Sequence, residues 1–192
     1  MNLPNKLTLF RIALTFIFVA LLFVEGLAAK AAALVLFLAA SLTDLFDGYI
    51  ARKYNLITDF GKIMDPVADK ILVLSAFLAF IQFDIVPAWM VILIILRESV
   101  ITGIRIGALT KGTVLAAQEG GKQKTVSQMA AIFLILAFLV IKAAGRTYGV
   151  FWDQRSELYC RELIYIVMLI TTALTLISGS SFLYKNRAML KG

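Results

Sequence analysis

Uncharged, mostly apolar residues fill positions 12–24, 31–43, 71–83 and 85–96. With the polar residues at their ends counted in, six stretches emerge, at 8–24, 31–51, 66–83, 85–106, 124–142 and 162–184. Each supplies roughly the 20 residues that a helix needs to cross 30 Å of hydrocarbon. The pattern predicts an all-α, polytopic membrane protein of six transmembrane helices, with residues 1–192 forming one domain, since no repeat, low-complexity tract or linker interrupts it. The start imitates a signal peptide, with a basic residue, an apolar run and "GLAAKA". Pro4 and the polar-tinged "MNLPNKLTLFR" fit an uncleaved first helix better.

Composition agrees. The chain is 61% hydrophobic, well above the roughly 45 to 50% of soluble domains. Its net charge of +7 points to loops facing anionic lipid rather than to nucleic acid. A single cysteine, Cys160, precludes an internal disulfide, and the absence of histidine excludes histidine-based catalysis and HExxH zinc chemistry. Hydrolytic or transfer chemistry therefore falls to carboxylates.

Lysine and arginine set an expected orientation. With the N-terminus in the cytoplasm and six alternating spans, Lys6, Arg11, Arg52, Lys53, Lys62, Arg105, Lys111, Lys122, Lys124, Lys185, Arg187 and Lys191 fall inside. Lys30, Lys142, Arg146, Arg155 and Arg161 fall outside, and Lys70 and Arg97 lie within spans. This asymmetry places both termini inside. The charged extensions of the first four spans then all point to the cytoplasmic half and predict a polar cavity open to the cytosol.

One segment resists the apolar rule. "DLFDGYIARKYNLITDFGKIMDPVADK", residues 44–70, carries Asp44, Asp47, Asp65 and Asp69 among glycines and cations. Asp or Lys at the centre of a membrane helix costs roughly 2.5 to 3.5 kcal/mol. Asp44 and Asp47 are three apart and Asp65 and Asp69 four apart, so each pair shares a helix face. Pro66 places a helix start near Asp65 or a bend there. Four converging carboxylates stay ionised only with cations between them, and hard oxygens without His or Cys select Mg²⁺, Mn²⁺ or Ca²⁺. A paired site suits the two-metal clamp of phosphoryl transfer, and Arg52 and Lys53 add charge for a diphosphate. The alternative is purely structural, with Asp47 paired to Arg52, Asp69 to Lys62 or Lys70, and Asp65 capping a helix.

The run D44-LF-D47-G48-YI-A51-R52, eight residues, then G61-KIM-D65-PVA-D69 resembles the CDP-alcohol phosphotransferase signature DxxDGxxAR(x8)GxxxDxxxD at every fixed position. "NLPNKLTLFR", "DPVADK", "RESVITGIR" and "GKQKT" resemble the bacterial phosphatidylglycerophosphate synthase branch of that family, through about residue 130; the C-terminal third carries no such motif. The resemblance implies transfer of a phosphatidyl group from CDP-diacylglycerol to glycerol 3-phosphate, in a homodimer of the bacterial cytoplasmic membrane. It implies Asp44, Asp47, Asp65 and Asp69 as ligands of two Mg²⁺ or Mn²⁺ ions, with Asp69 also the catalytic base. It further implies Asn5, Thr8, Arg11, Gly48, Ala51, Arg52 and Gly61 around CDP-diacylglycerol.

A soluble phosphomonoester acceptor needs its own cations, and Arg97, Arg105, Lys122 and Lys124 are the candidates. Competing readings pair Arg97 with Glu98, let Arg105 snorkel, and send Lys122 and Lys124 to lipid headgroups. Thr125 and Gln128 could donate to the acceptor or simply pack helices. Gly26, Gly103, Gly107, Trp89, Trp152 and Tyr159 read as packing residues and interfacial anchors. Other acceptors in the family are serine, inositol phosphate and phosphatidylglycerol. A cation transporter is the reading from another class, but it expects acids spread across the bilayer, whereas these crowd to one side among Arg and Lys.

Overall fold

Every apolar run is the middle of a helix. A computed structural model describes the backbone of residues 3–53, 59–110, 119–149 and 152–187, and the side chains of 9–43, 67, 70–108, 121–149 and 152–187. The helices are α1 (Leu3–Phe23), α2 (Leu27–Lys53), α3 (Asp59–Gln82), α4 (Ala88–Thr110), α5 (Glu119–Tyr148) and α6 (Gln154–Lys185), with no strand among the described residues. Helix α1 packs on α2 and α3, α5 on α2, α3 and α6, and α4 on α3 and α6.

Helical spacing builds the core. Phe18 and Leu22 of α1, Ala33, Phe37 and Ala40 of α2, and Phe77 and Phe80 of α3 recur at intervals of three and four and are fully or almost fully buried. Met90 and Ile94 of α4, Ile132, Ile135 and Leu136 of α5, and Ile164 and Met168 of α6 complete it. The outward faces are apolar too: Phe16, Ile17, Val35, Leu38, Ile166, Leu169, Ile170 and Ile177 are exposed. Helices apolar on all sides suit a hydrocarbon surround, not water. Hydroxyls on these helices turn back on their own carbonyls, as Ser41 does to Phe37, Thr102 to Glu98 and Thr172 to Met168, which satisfies them without water.

Among the described residues, two helical stretches, Gly121–Tyr148 and Gln154–Lys185, are long and apolar enough to cross a membrane, and shorter apolar stretches run over Leu9–Phe23, Leu27–Thr43 and Lys70–Gln82.

The boundaries depart from the apolar pattern in instructive ways. Helix α3 begins at Asp59, so Pro66 lies inside it rather than in its first turn. Helix α6 begins at Gln154, well before the apolar run at 162, because Asp153 caps it: the Asp153 carboxylate accepts from Ser156 N at 2.8 Å. That hydrogen bond holds the Asp153 carboxyl below its ordinary pKa. Glu157 in the first turn then accepts from Lys142, from Arg161 Nε at 3.1 Å and from Trp152 Nε1 at 3.4 Å.

Glycine roles also differ from expectation. Gly26 is a turn residue, with φ +104 between α1 and α2, and a side chain on Gly103 or Gly107 would meet nothing within 4 Å among the described residues.

Candidate active site

Helices α2 and α3 carry the aspartates, and their backbones are helical through positions 44, 47, 65 and 69. The sequence spacings of three and four are thus helical spacings. The side chains of Asp44, Asp47, Asp65 and Asp69 lie outside the described residues, as do those of Asn5, Thr8, Gly48, Ala51, Arg52 and Gly61. Chemically, the four aspartates form an all-carboxylate donor set that fits Mg²⁺ or Mn²⁺. Among the described residues no group of three His, Cys, Asp or Glu could hold a metal. Arg11, from the nucleotide set, is only 1% exposed, and its backbone carbonyl accepts from Thr15 Oγ1 at 2.9 Å.

The described part of the site centres on Glu98 of α4. Its side chain is 5% exposed and meets cations from three helices. Arg97 Nη1 of α4 donates to Oε1 at 2.9 Å, and Lys124 Nζ of α5 donates to the same oxygen. Lys70 Nζ of α3 lies 3.4 Å from Oε2 and donates to the Glu98 carbonyl at 3.2 Å. Among the described residues, three cations against one carboxylate leave a surplus of two positive charges. In a site largely closed to water, such a surplus attracts an anion far more strongly than it would at the surface.

Two arginines extend the cluster toward α6. Arg97 Nη2 donates to Ser178 Oγ at 3.0 Å, while the Arg105 guanidinium stacks over the Phe182 ring at 5.3 Å. The interval of eight does put them on one face of α4, the face packed on α6. Arg97 Nε and Arg105 Nε are buried and without a hydrogen-bond partner among the described residues.

Of the four residues expected at an acceptor site, Arg97 and Lys124 meet directly through Glu98, and Arg105 stands on the same α4 face as Arg97. Lys122 does not join them: it is exposed and makes no ion pair among the described residues. Arg97 does pair with its neighbour Glu98, but as part of a shared cluster rather than a local pair, and Lys70 also bonds Glu98. Arg105 lies on an aromatic ring. Thr125 donates to Gly121 O and Gln128 to Thr175 Oγ1, so both serve helix structure and α5–α6 packing.

Sequence reasoning missed Glu98 as an organiser, and with it Ser178 and Phe182. The available signal was a lone acid in an apolar helix, one residue from an arginine and within a span's reach of two lysines.

The sequence matches the CDP-alcohol phosphatidyltransferase family over residues 1–177. It is 39% identical to the CDP-diacylglycerol--glycerol-3-phosphate 3-phosphatidyltransferase of Bacillus subtilis (strain 168), over 99% of this chain and 97% of the relative. It is 38% identical to a protein of the same name from Rickettsia typhi, over 94% of each chain. The Mycoplasma pneumoniae protein of that name is 30% identical, over 92% of this chain and 84% of the relative. With the match running from the aspartate-bearing helices through the Glu98 cluster and into α6, the chain belongs to the CDP-alcohol phosphatidyltransferase family.

Proposed function

We propose that this membrane protein transfers the phosphatidyl group of CDP-diacylglycerol to sn-glycerol 3-phosphate, forming phosphatidylglycerophosphate and CMP. The observation that carries the acceptor is the Glu98 cluster, whose surplus of two positive charges matches a phosphomonoester dianion. Its names apart, the relatives' coverage of nearly the whole chain supports the same reading.

In the reaction, the acceptor hydroxyl oxygen forms a bond to the phosphatidyl phosphorus. The bond from that phosphorus to the bridging oxygen breaks, and CMP leaves with the electron pair. Asp69 takes the hydroxyl proton. Arg97, Arg105 and Lys124 hold the acceptor phosphate, with the exposed Lys122 outside that group, while Asn5, Thr8, Arg11, Gly48, Ala51, Arg52 and Gly61 hold the nucleotide. Asp44, Asp47, Asp65 and Asp69 would hold two Mg²⁺ or Mn²⁺ ions. Bound there, divalent cations would neutralise phosphate charge. We read all six helices as spans of one domain, 1–192, in a homodimer of the bacterial cytoplasmic membrane, with both termini and the polar cavity on the cytoplasmic side. The lysine and arginine asymmetry of the sequence supports that orientation.

Purified protein given CDP-diacylglycerol, Mg²⁺ and one acceptor at a time tests the assignment. CMP release with glycerol 3-phosphate is expected to exceed that with serine, inositol phosphate or phosphatidylglycerol; preference for any of those would overturn it. Arg105→Ala and Lys124→Ala should raise KM for glycerol 3-phosphate roughly 10 to 100-fold by loss of a charge-assisted contact. KM for CDP-diacylglycerol should stay within about threefold. Steady-state kinetics with each substrate varied in turn decides, and equal weakening of both substrates would place these cations elsewhere.

A further inference from the structure

Helix α6 contains none of the motif residues, yet it forms the surface on which both α4 arginines rest. Ser178 is buried at 8% exposure. Where Ser41, Thr102 and Thr172 turn back on their own helices, Ser178 Oγ accepts from Arg97 Nη2 across the α4–α6 interface. The next residue, Gly179, is buried against the same side chain. A Cβ at Gly179 would lie 2.8 Å from Arg97 Cγ and 3.1 Å from Arg97 Nε, closer than the first can be without something shifting. Cγ is near the root of the side chain, so a swing of the guanidinium does not relieve the clash. One turn after Ser178, Phe182 lies under Arg105.

We propose that Ser178 and Gly179 are positioning residues for the acceptor phosphate, acting through Arg97. The inference rests on the acceptor reading above. Ser178 on one side and Glu98 on the other hold the two Nη atoms, while Gly179 leaves the side-chain stem room to lie flat on α6. Arg97 Nε stays without a partner among the described residues. A long arginine side chain normally loses much rotamer freedom on gripping a phosphate. Fixing it beforehand lets the acceptor meet a guanidinium already aimed, which tightens binding without a new contact. The C-terminal helix thereby determines acceptor affinity although it presents no group to the acceptor itself.

Ser178→Ala, Ser178→Thr and Gly179→Ala, each compared with wild type in the same detergent, test this. Ser178→Ala should raise KM for glycerol 3-phosphate about tenfold, the scale of one hydrogen bond to a charged group. KM for CDP-diacylglycerol should stay within about twofold, because a uniform packing defect would move both constants. Ser178→Thr restores a hydroxyl and should return KM to near wild type. Gly179→Ala should have an effect at least as large as Ser178→Ala; if it does not fold, the serine pair decides. Ser178→Ala with unchanged KM for glycerol 3-phosphate, or with both KM values raised together, overturns the positioning role. Wild-type protein that does not use glycerol 3-phosphate overturns the acceptor assignment and this inference with it, whereas normal wild-type use with unaffected variants overturns this inference alone.

Discussion

Asp69→Asn should yield a folded protein whose turnover is roughly 10² to 10⁴ times slower, the range expected for loss of a general base. The substitution preserves volume and removes both charge and proton affinity, so the fold has little reason to respond. Asp69 immediately precedes Lys70 in α3, and Lys70 ties that helix to Glu98. The proposed base thus neighbours, on the same helix, a lysine that binds Glu98. The measurement is CMP release at saturating substrates, alongside thermal unfolding of both proteins. Turnover above about a tenth of wild type would falsify the assignment of the base to Asp69.

Removing the carboxylate of Glu98 should cost stability as well as activity. Glu98→Ala removes the one described carboxylate that joins three cations from α3, α4 and α5. Loss of one partner from a buried ion pair costs about 3 to 5 kcal/mol, or roughly 10² to 10⁴ in the folding equilibrium. Glu98→Gln should fall between wild type and Glu98→Ala, since its amide oxygen still accepts from a cation while the charge is gone. Unfolding in detergent followed by fluorescence of Trp89 and Trp152 reads the effect, and kinetics on the surviving fraction should show KM for glycerol 3-phosphate raised. A midpoint for Glu98→Ala within about 2 °C of wild type would mean that the carboxylate does not bind these helices together.

Much of this arrangement was legible because hydrophobic patterning carries helix number and order. The six apolar runs became six helices, and Lys30, Lys142 and Arg161, grouped by their spacing along the chain, do gather at the end of the bundle that holds the α1–α2, α3–α4 and α5–α6 turns. The family signature lay in plain view at fixed intervals. Polar helix ends were not legible, since Asp153 and Glu157 extend α6 by capping and ion pairing, neither of which an apolar run records. Nor was Glu98 legible as a hub. Its partners lie 26 and 28 residues away on neighbouring helices, and only packing decides which lysines reach it. Ser178 was hidden for a simpler reason: nothing in a serine beside a glycine distinguishes a hydroxyl that turns inward from one that bonds a neighbouring helix.

The Glu98 hub also constrains how the chain is assembled during synthesis. Lys70 leaves the ribosome before Glu98, and Lys124 after it, so the hub cannot close until α5 has emerged. On the six-span reading proposed above, a lysine exposed to hydrocarbon costs roughly 2.5 to 3.5 kcal/mol, which leaves α3 poorly settled until its carboxylate partner arrives. Nascent chains that stop before α4 should accordingly be better targets for membrane quality-control proteases than chains that stop after α5, in which Glu98 and its three cations are all present.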